Sequence, residues 1–141
     1  MTVLCWLYYD NQDGPIFAYW TGHEGGVVIR IRNGKFFARF RNRNANSQTA
    51  DLESSKLRPG WTFVGASYDR SSGEAKLWVD GVEKKKQRIG TNFDLGTQGN
   101  VTMGAGRRFD SYFKGRITQM QVYNLALTQG QIQAKIGRAH V

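Results

Sequence analysis

Cleaving a glycosidic bond takes two carboxyl groups placed on either side of it. The eleven acidic residues of this chain stand at 10, 13, 24, 51, 53, 69, 74, 80, 83, 94 and 110, and none falls in the Glu-x-Asp-x-x-Glu spacing of such a site. Asp51 and Glu53 come nearest, in a polar stretch that reads as a loop. His23 has no nucleophile to pair with. Catalysis is therefore not expected. Cys5, the only cysteine, alternates with Val3 and Leu7 along an apolar run. It reads as a buried structural thiol, and no disulfide can form within the chain.

Cationic chemistry is richer. Twenty Lys and Arg against eleven Asp and Glu give a net charge of +9. Such an excess favours an acidic partner: a sulfated glycan, a nucleic acid or an anionic lipid. The densest segment is 27–43, where Val27–Arg32 and Lys35–Arg41 flank Asn33-Gly34. Asn-Gly marks a type I′ hairpin turn, because both central positions need positive φ. Alternate residues of a strand share a face. Val27, Ile29, Ile31, Phe36, Ala38 and Phe40 then point to a core. Arg30, Arg32, Lys35, Arg39 and Arg41 point the other way, with an exposed Phe37 among them and Arg43 just beyond. Like charges opposed across a sheet repel, and no acidic residue lies between Gly25 and Ala50. These six cations are expected to hold an anion, for which arginine's planar fork suits sulfate, carboxylate or phosphate. Lys84, Lys85, Lys86 and Arg88 form a second cluster, read as a charged edge strand away from the hairpin.

The elements that must position these side chains are mostly strands. Thr2–Tyr9, Ile16–Trp20, the 27–41 hairpin, Trp61–Asp69, Glu74–Asp80, Val82–Ile89, Val101–Gly104 and Phe113–Tyr123 all read as β, and Asn42–Pro59 reads as a loop with a short strand near Leu52. One short helix follows, with Thr128 as N-cap, Gln131 three residues on as in a capping box, and Leu127 and Ile132 placed as a hydrophobic staple. Seventeen glycines and two prolines fit many tight turns. The pattern is an antiparallel β-sandwich with one terminal helical turn. No stretch approaches the roughly 20 apolar residues of a membrane-spanning helix, so membrane insertion is not expected.

Two blocks carry a family signature. Trp61–Asp69, then Ser72-Gly73 and Leu77-Trp78-Val79-Asp80-Gly81, is similar to the laminin-G-like and pentraxin pattern. Phe113–Thr128, with Gly115, Ile117, Met120, Val122 and Tyr123, then Gln131-Ile132, resembles that family's closing strand and helix; Thr2–Trp6 resembles the strand that precedes these blocks. The resemblance implies an all-β, concanavalin A-like jelly-roll sandwich formed by residues 1–135. It also implies a further strand, upstream of Met1, that would pair beside the 116–123 strand. Residues 136–141 have no counterpart in the pattern and match the translation of a sequencing-library adapter. They are read as a non-native tail, and His140 carries no weight as a ligand.

The same resemblance implies a calcium at the sandwich rim, for which Asp110 is the candidate and Asp94 a second. Calcium wants six to eight oxygen ligands, whereas Arg107 and Arg108 oppose a cation there. Weak calcium binding at most, and no other cofactor, is expected. Asn100-Val101-Thr102 is the sole glycosylation sequon. The resulting expectation is an extracellular module, or the ectodomain of a larger protein, that serves adhesion or recognition. It would bind anionic carbohydrate, such as heparin, through Arg30, Arg32, Lys35, Arg39, Arg41 and Arg43. The competing class is a structural or protein-binding module that makes contact through loops 90–99 or 105–112. As a ligand of the basic face, nucleic acid is the runner-up and ranks below glycans, since no recognised nucleic-acid module is present; none is expected as a partner.

Overall fold

The computed structural model describes residues 1–21, 24–43, 48–95, 100–105 and 112–136. Among them run β1 (Thr2–Tyr9), β2 (Gly14–Thr21), β3 (Glu24–Arg32), β4 (Lys35–Arg41), β5 (Thr49–Lys56), β6 (Gly60–Asp69), β7 (Glu74–Val79), β8 (Val82–Arg88), β9 (Val101–Met103), β10 (Arg116–Tyr123) and α1 (Gln129–Ile136). The strands form two antiparallel sheets, ordered β10-β1-β6-β7-β8 and β5-β4-β3-β2-β9.

Period-two alternation builds the core between the sheets. Ile29, Ile31, Phe36, Ala38 and Phe40 of β3 and β4 meet Cys5, Leu7, Val64, Ala66, Tyr68 and Leu77 of the facing sheet. The β3–β4 turn has Asn33 at φ 56° and Gly34 at φ 74°. Its two amides donate to the Asp13 carboxylate at 2.8 and 2.9 Å. Turn chemistry and a distant side chain thus fix the same register.

β1 is apolar on both faces because both are covered. Leu4 and Trp6, with Phe63 and Trp78, point out of the sandwich and are buried by Leu127 and Ile132. The expected capping box forms: Gln131 Oε1 accepts from the Thr128 amide at 2.9 Å, and Thr128 Oγ1 from the Gln131 amide at 3.2 Å. The Thr2 hydroxyl donates to Leu125 O at 2.7 Å and accepts from the Leu127 amide at 3.0 Å, tying the chain before the helix to β1. Ile136, expected to be tail, packs on this cluster beside Gly81, where an added Cβ would lie 2.7 Å from its Cδ1. Residues 137–141 lie outside the described residues.

Two expectations need correcting. Residues 49–56 form a full strand rather than a loop, with Ala50, Leu52 and Ser54 buried in alternation. Small and hydroxyl side chains at inward positions hid that period. The helix runs eight residues rather than a single turn. As expected, β8 is an edge strand, exposed along its whole length; among the described residues β10 pairs with β1 alone.

Candidate functional site

The two sheets differ in what covers them. α1 and the segment before it pack on the outer face of the first sheet. The outer face of the second carries the hairpin cations in cross-strand rows. One row runs Ala18, Val28, Arg39, Asp51; the next Pro15, Arg30, Phe37, Glu53; a third Arg32, Lys35, Lys56.

Arg30, Arg32, Lys35, Arg39 and Arg41 share this face, as alternation requires, but they are not opposed only by one another. β5 lies beside β4 and brings Asp51 opposite Arg39 and Glu53 opposite Phe37. Arg39 grips Asp51 with both prongs, Nε to Oδ1 at 2.7 Å and Nη2 to Oδ2 at 2.8 Å. The hydrogen bond from Arg39 holds the Asp51 carboxyl below its usual range and raises the Arg39 guanidinium in turn. Glu53 accepts from Arg32 Nη2 at 3.4 Å and lies 4.0 Å from Lys35 Nζ. The expectation of a face without acids fails because the acids come from after residue 50, on a strand taken for loop.

Phe37 is a second correction. It is only 2% exposed, not an open stacking surface. The Arg32 guanidinium lies 3.9 Å from its ring centroid and that of Arg39 5.6 Å away. Long arginine stems cover apolar surface while the charged heads stay wet, and the ring's negative face attracts them. Base stacking on this ring is blocked.

Arg30 is exposed and has no carboxylate partner among the described residues. Arg41 is half-buried, opposite Thr49. Arg43 lies past the end of β4 in a loop network. Its Nε reaches Asp94 Oδ2 at 3.1 Å and its amide donates to Asp94 O at 2.8 Å, while Asn42 donates to Asn92 O at 3.1 Å. With Lys56 the face therefore holds six cations against two carboxylates, still a positive surface, with the guanidinium groups of Arg32 and Arg39 already oriented.

Asp110, Arg107 and Arg108 lie outside the described residues. Asp94, the other calcium candidate, is engaged by Arg43. No three His, Cys, Asp or Glu side chains among the described residues approach closely enough to hold a metal. Asn100 is exposed just before β9. Cys5 is buried, and burial pushes its thiol up to about 12, which keeps it protonated and inert. β8 is nearer the hairpin than expected. β5, the neighbour of β4, also approaches β8 across the open side of the sandwich.

Two facing sheets of this topology define a lectin-type jelly roll. A family model for a laminin G domain, described as the concanavalin A-like lectin/glucanases superfamily, matches residues 1–133, and the chain belongs to that family. Among solved structures, CBM40 of Ruminococcus gnavus IT-sialidase bound to α2,3-sialyllactose matches with a TM-score of 0.74 at 19% identity, covering 95% of this chain and 80% of that one. A heptameric SAP-like pentraxin from Limulus polyphemus gives 0.68 at 15% identity, covering 94% and 67%. The receptor binding domain of a botulinum neurotoxin C/D mosaic serotype gives 0.73 at 14% identity, covering 97% and 35%. At such identities these likenesses establish the fold. No curated protein matches the sequence.

Proposed function

We propose that this domain is a non-catalytic, extracellular recognition module that binds anionic carbohydrate, a sulfated glycan in particular, through the outer face of the β5-β4-β3-β2-β9 sheet. The observation that carries the reading is the row structure of that face: five hairpin cations on adjacent strands, with two carboxylates that orient three of them without cancelling the charge. A guanidinium has five N–H donors. Asp51 takes two of those of Arg39, so the others stay available to a ligand. Orienting such groups in advance lowers the cost of ordering them on binding.

Two further points favour binding over hydrolysis. Asp51 and Glu53, the nearest carboxylate pair, are both ion-paired, and Asp51 is held ionised, the opposite of what a general acid needs. The solved CBM40 neighbour is bound to sialyllactose, an anionic sugar.

Arg30 and Arg41 are the residues to test, since changing Arg39 or Arg32 would release Asp51 or Glu53 and disturb the sheet itself. Arg30→Ser with Arg41→Ser should move elution from a heparin matrix to markedly lower salt while the melting temperature stays close to the parent's, since outward changes usually cost within about 0.5 kcal/mol. Unchanged elution from a folded double variant would remove this face from consideration.

A further inference from the structure

A second group of cations without carboxylate partners lies off the hairpin. A cavity of about 460 Å³ opens in the seam between β5 and β8, where the edges of the two sheets meet. Lys56, Arg58 and Lys84 line it together with Ser55 and Thr62. Four of the hairpin-segment cations are ion-paired: Arg32 and Lys35 to Glu53, Arg39 to Asp51 and Arg43 to Asp94. Lys56, Arg58 and Lys84 have no carboxylate within ion-pair distance among the described residues. Asp80 also lines the cavity, its Oδ1 accepting from the Phe63 amide at 3.1 Å, so one carboxylate stands against three cations and the site stays net positive. Three cations converging on one concave site repel each other unless an anion lies between them.

The seam is continuous with the hairpin face. Lys56 stands opposite Lys35 in the β4–β5 register, a like-charge pair that an anion would relieve. Its Cγ lies 4.0 Å from where a Cβ on Gly34 would sit, and the next amide, of Leu57, donates to Gly34 O at 2.8 Å. Lys56 therefore joins the hairpin turn to the cavity. Neighbouring strands are roughly 5 Å apart, a spacing that successive charged groups of a polysaccharide can follow.

We propose that the β5–β8 seam is a second anion subsite, in which Lys56, Arg58 and Lys84 take a sulfate or carboxylate of the same polysaccharide chain that crosses the hairpin face. This rests on the glycan-binding reading above and adds to it a path and a minimum ligand length.

The test compares the parent protein, Arg30→Ser with Arg41→Ser, and Lys56→Ser with Arg58→Ser and Lys84→Ser. The probes are unfractionated heparin and a heparin disaccharide, with thermal melts run in parallel. Losing one of two linked subsites removes the gain from simultaneous engagement. The seam variant should therefore bind long heparin roughly tenfold or more weakly, and lose much less for the disaccharide. Glutamine at the same three positions replaces serine should the serine variant melt early. If the seam variant binds like the parent while the hairpin variant weakens, the seam is overturned and the hairpin reading stands. If only the seam variant weakens, the hairpin assignment falls, and with it the linked path, so the proposal of a second subsite is overturned. A parent that does not bind heparin, or from which single-stranded DNA displaces heparin at lower concentration than free heparin does, overturns both.

Discussion

Asp51 and Arg39 are the pair through which the charge of the site can be adjusted. The folded Asp51 carboxyl titrates below its ordinary value of 3.8, chiefly because of the hydrogen bond from Arg39. A group lowered on folding contributes stability above its unfolded pKa and loses that contribution as pH falls through its folded pKa. Both side chains are over a third exposed, so the pair contributes only about 0.2–1 kcal/mol after screening. For binding the consequence runs the other way. A sulfate stays ionised in that acid range, so protonating Asp51 frees Arg39 for the ligand. Heparin retention is expected to rise as pH falls below about 4, even as the melting temperature declines slightly. Asp51→Asn should show stronger retention at neutral pH and a smaller acid response. Asp51 both orients Arg39 and offsets its charge, so weaker retention by Asp51→Asn would show that the lost orientation outweighs the gained positive charge.

At the scale of elements, the outer face of the first sheet depends on one hydroxyl. Thr2 is fully buried and bonds both Leu125 O and the Leu127 amide, holding the segment that lays Leu127 and Ile132 over Leu4, Trp6, Phe63 and Trp78. Thr2→Val keeps the shape and leaves a buried amide and carbonyl without partners. A loss of about 1–3 kcal/mol is expected in denaturant titration, with a change in tryptophan emission, since Trp6 and Trp78 lie under the helix. Thr2→Ser should recover most of it. A Thr2→Val protein as stable as the parent would mean that packing alone holds the helix.

For the whole molecule, the two edges of the first sheet are unlike. β8 carries Lys84, Lys85, Lys86 and Arg88, whereas β10 carries a single charge at Arg116 and exposes Val122 at 42%. Charged edges resist edge-to-edge pairing and apolar ones invite it. The net charge of +9 opposes self-association at low salt, and salt screens that repulsion over about 8–10 Å. Concentration-dependent association is therefore expected to grow with ionic strength, and Val122→Lys to suppress it without lowering the melting temperature. Sedimentation at low and high salt distinguishes this from association through the basic face, which salt would weaken and Val122→Lys would leave unchanged.

What the sequence determined by itself was local and periodic. The Asn33-Gly34 turn, the inward set Ile29, Ile31, Phe36, Ala38 and Phe40, and the Thr128–Gln131 capping box each lie within a few residues of their cause, so their spacing alone revealed them. The sandwich followed from adding such units. Only the tertiary structure decided which strand lies beside which, and electrostatics depends on that. Asp51 and Glu53 follow the hairpin by ten residues or more and meet its arginines only because β5 pairs with β4. Phe37 is covered only because Arg32 folds over it. Lys56 and Lys84 are far apart in the chain, and they line one cavity because the edges of two sheets meet. Charges interact through distance in space, and a period of two along one strand holds no information about the strand next to it.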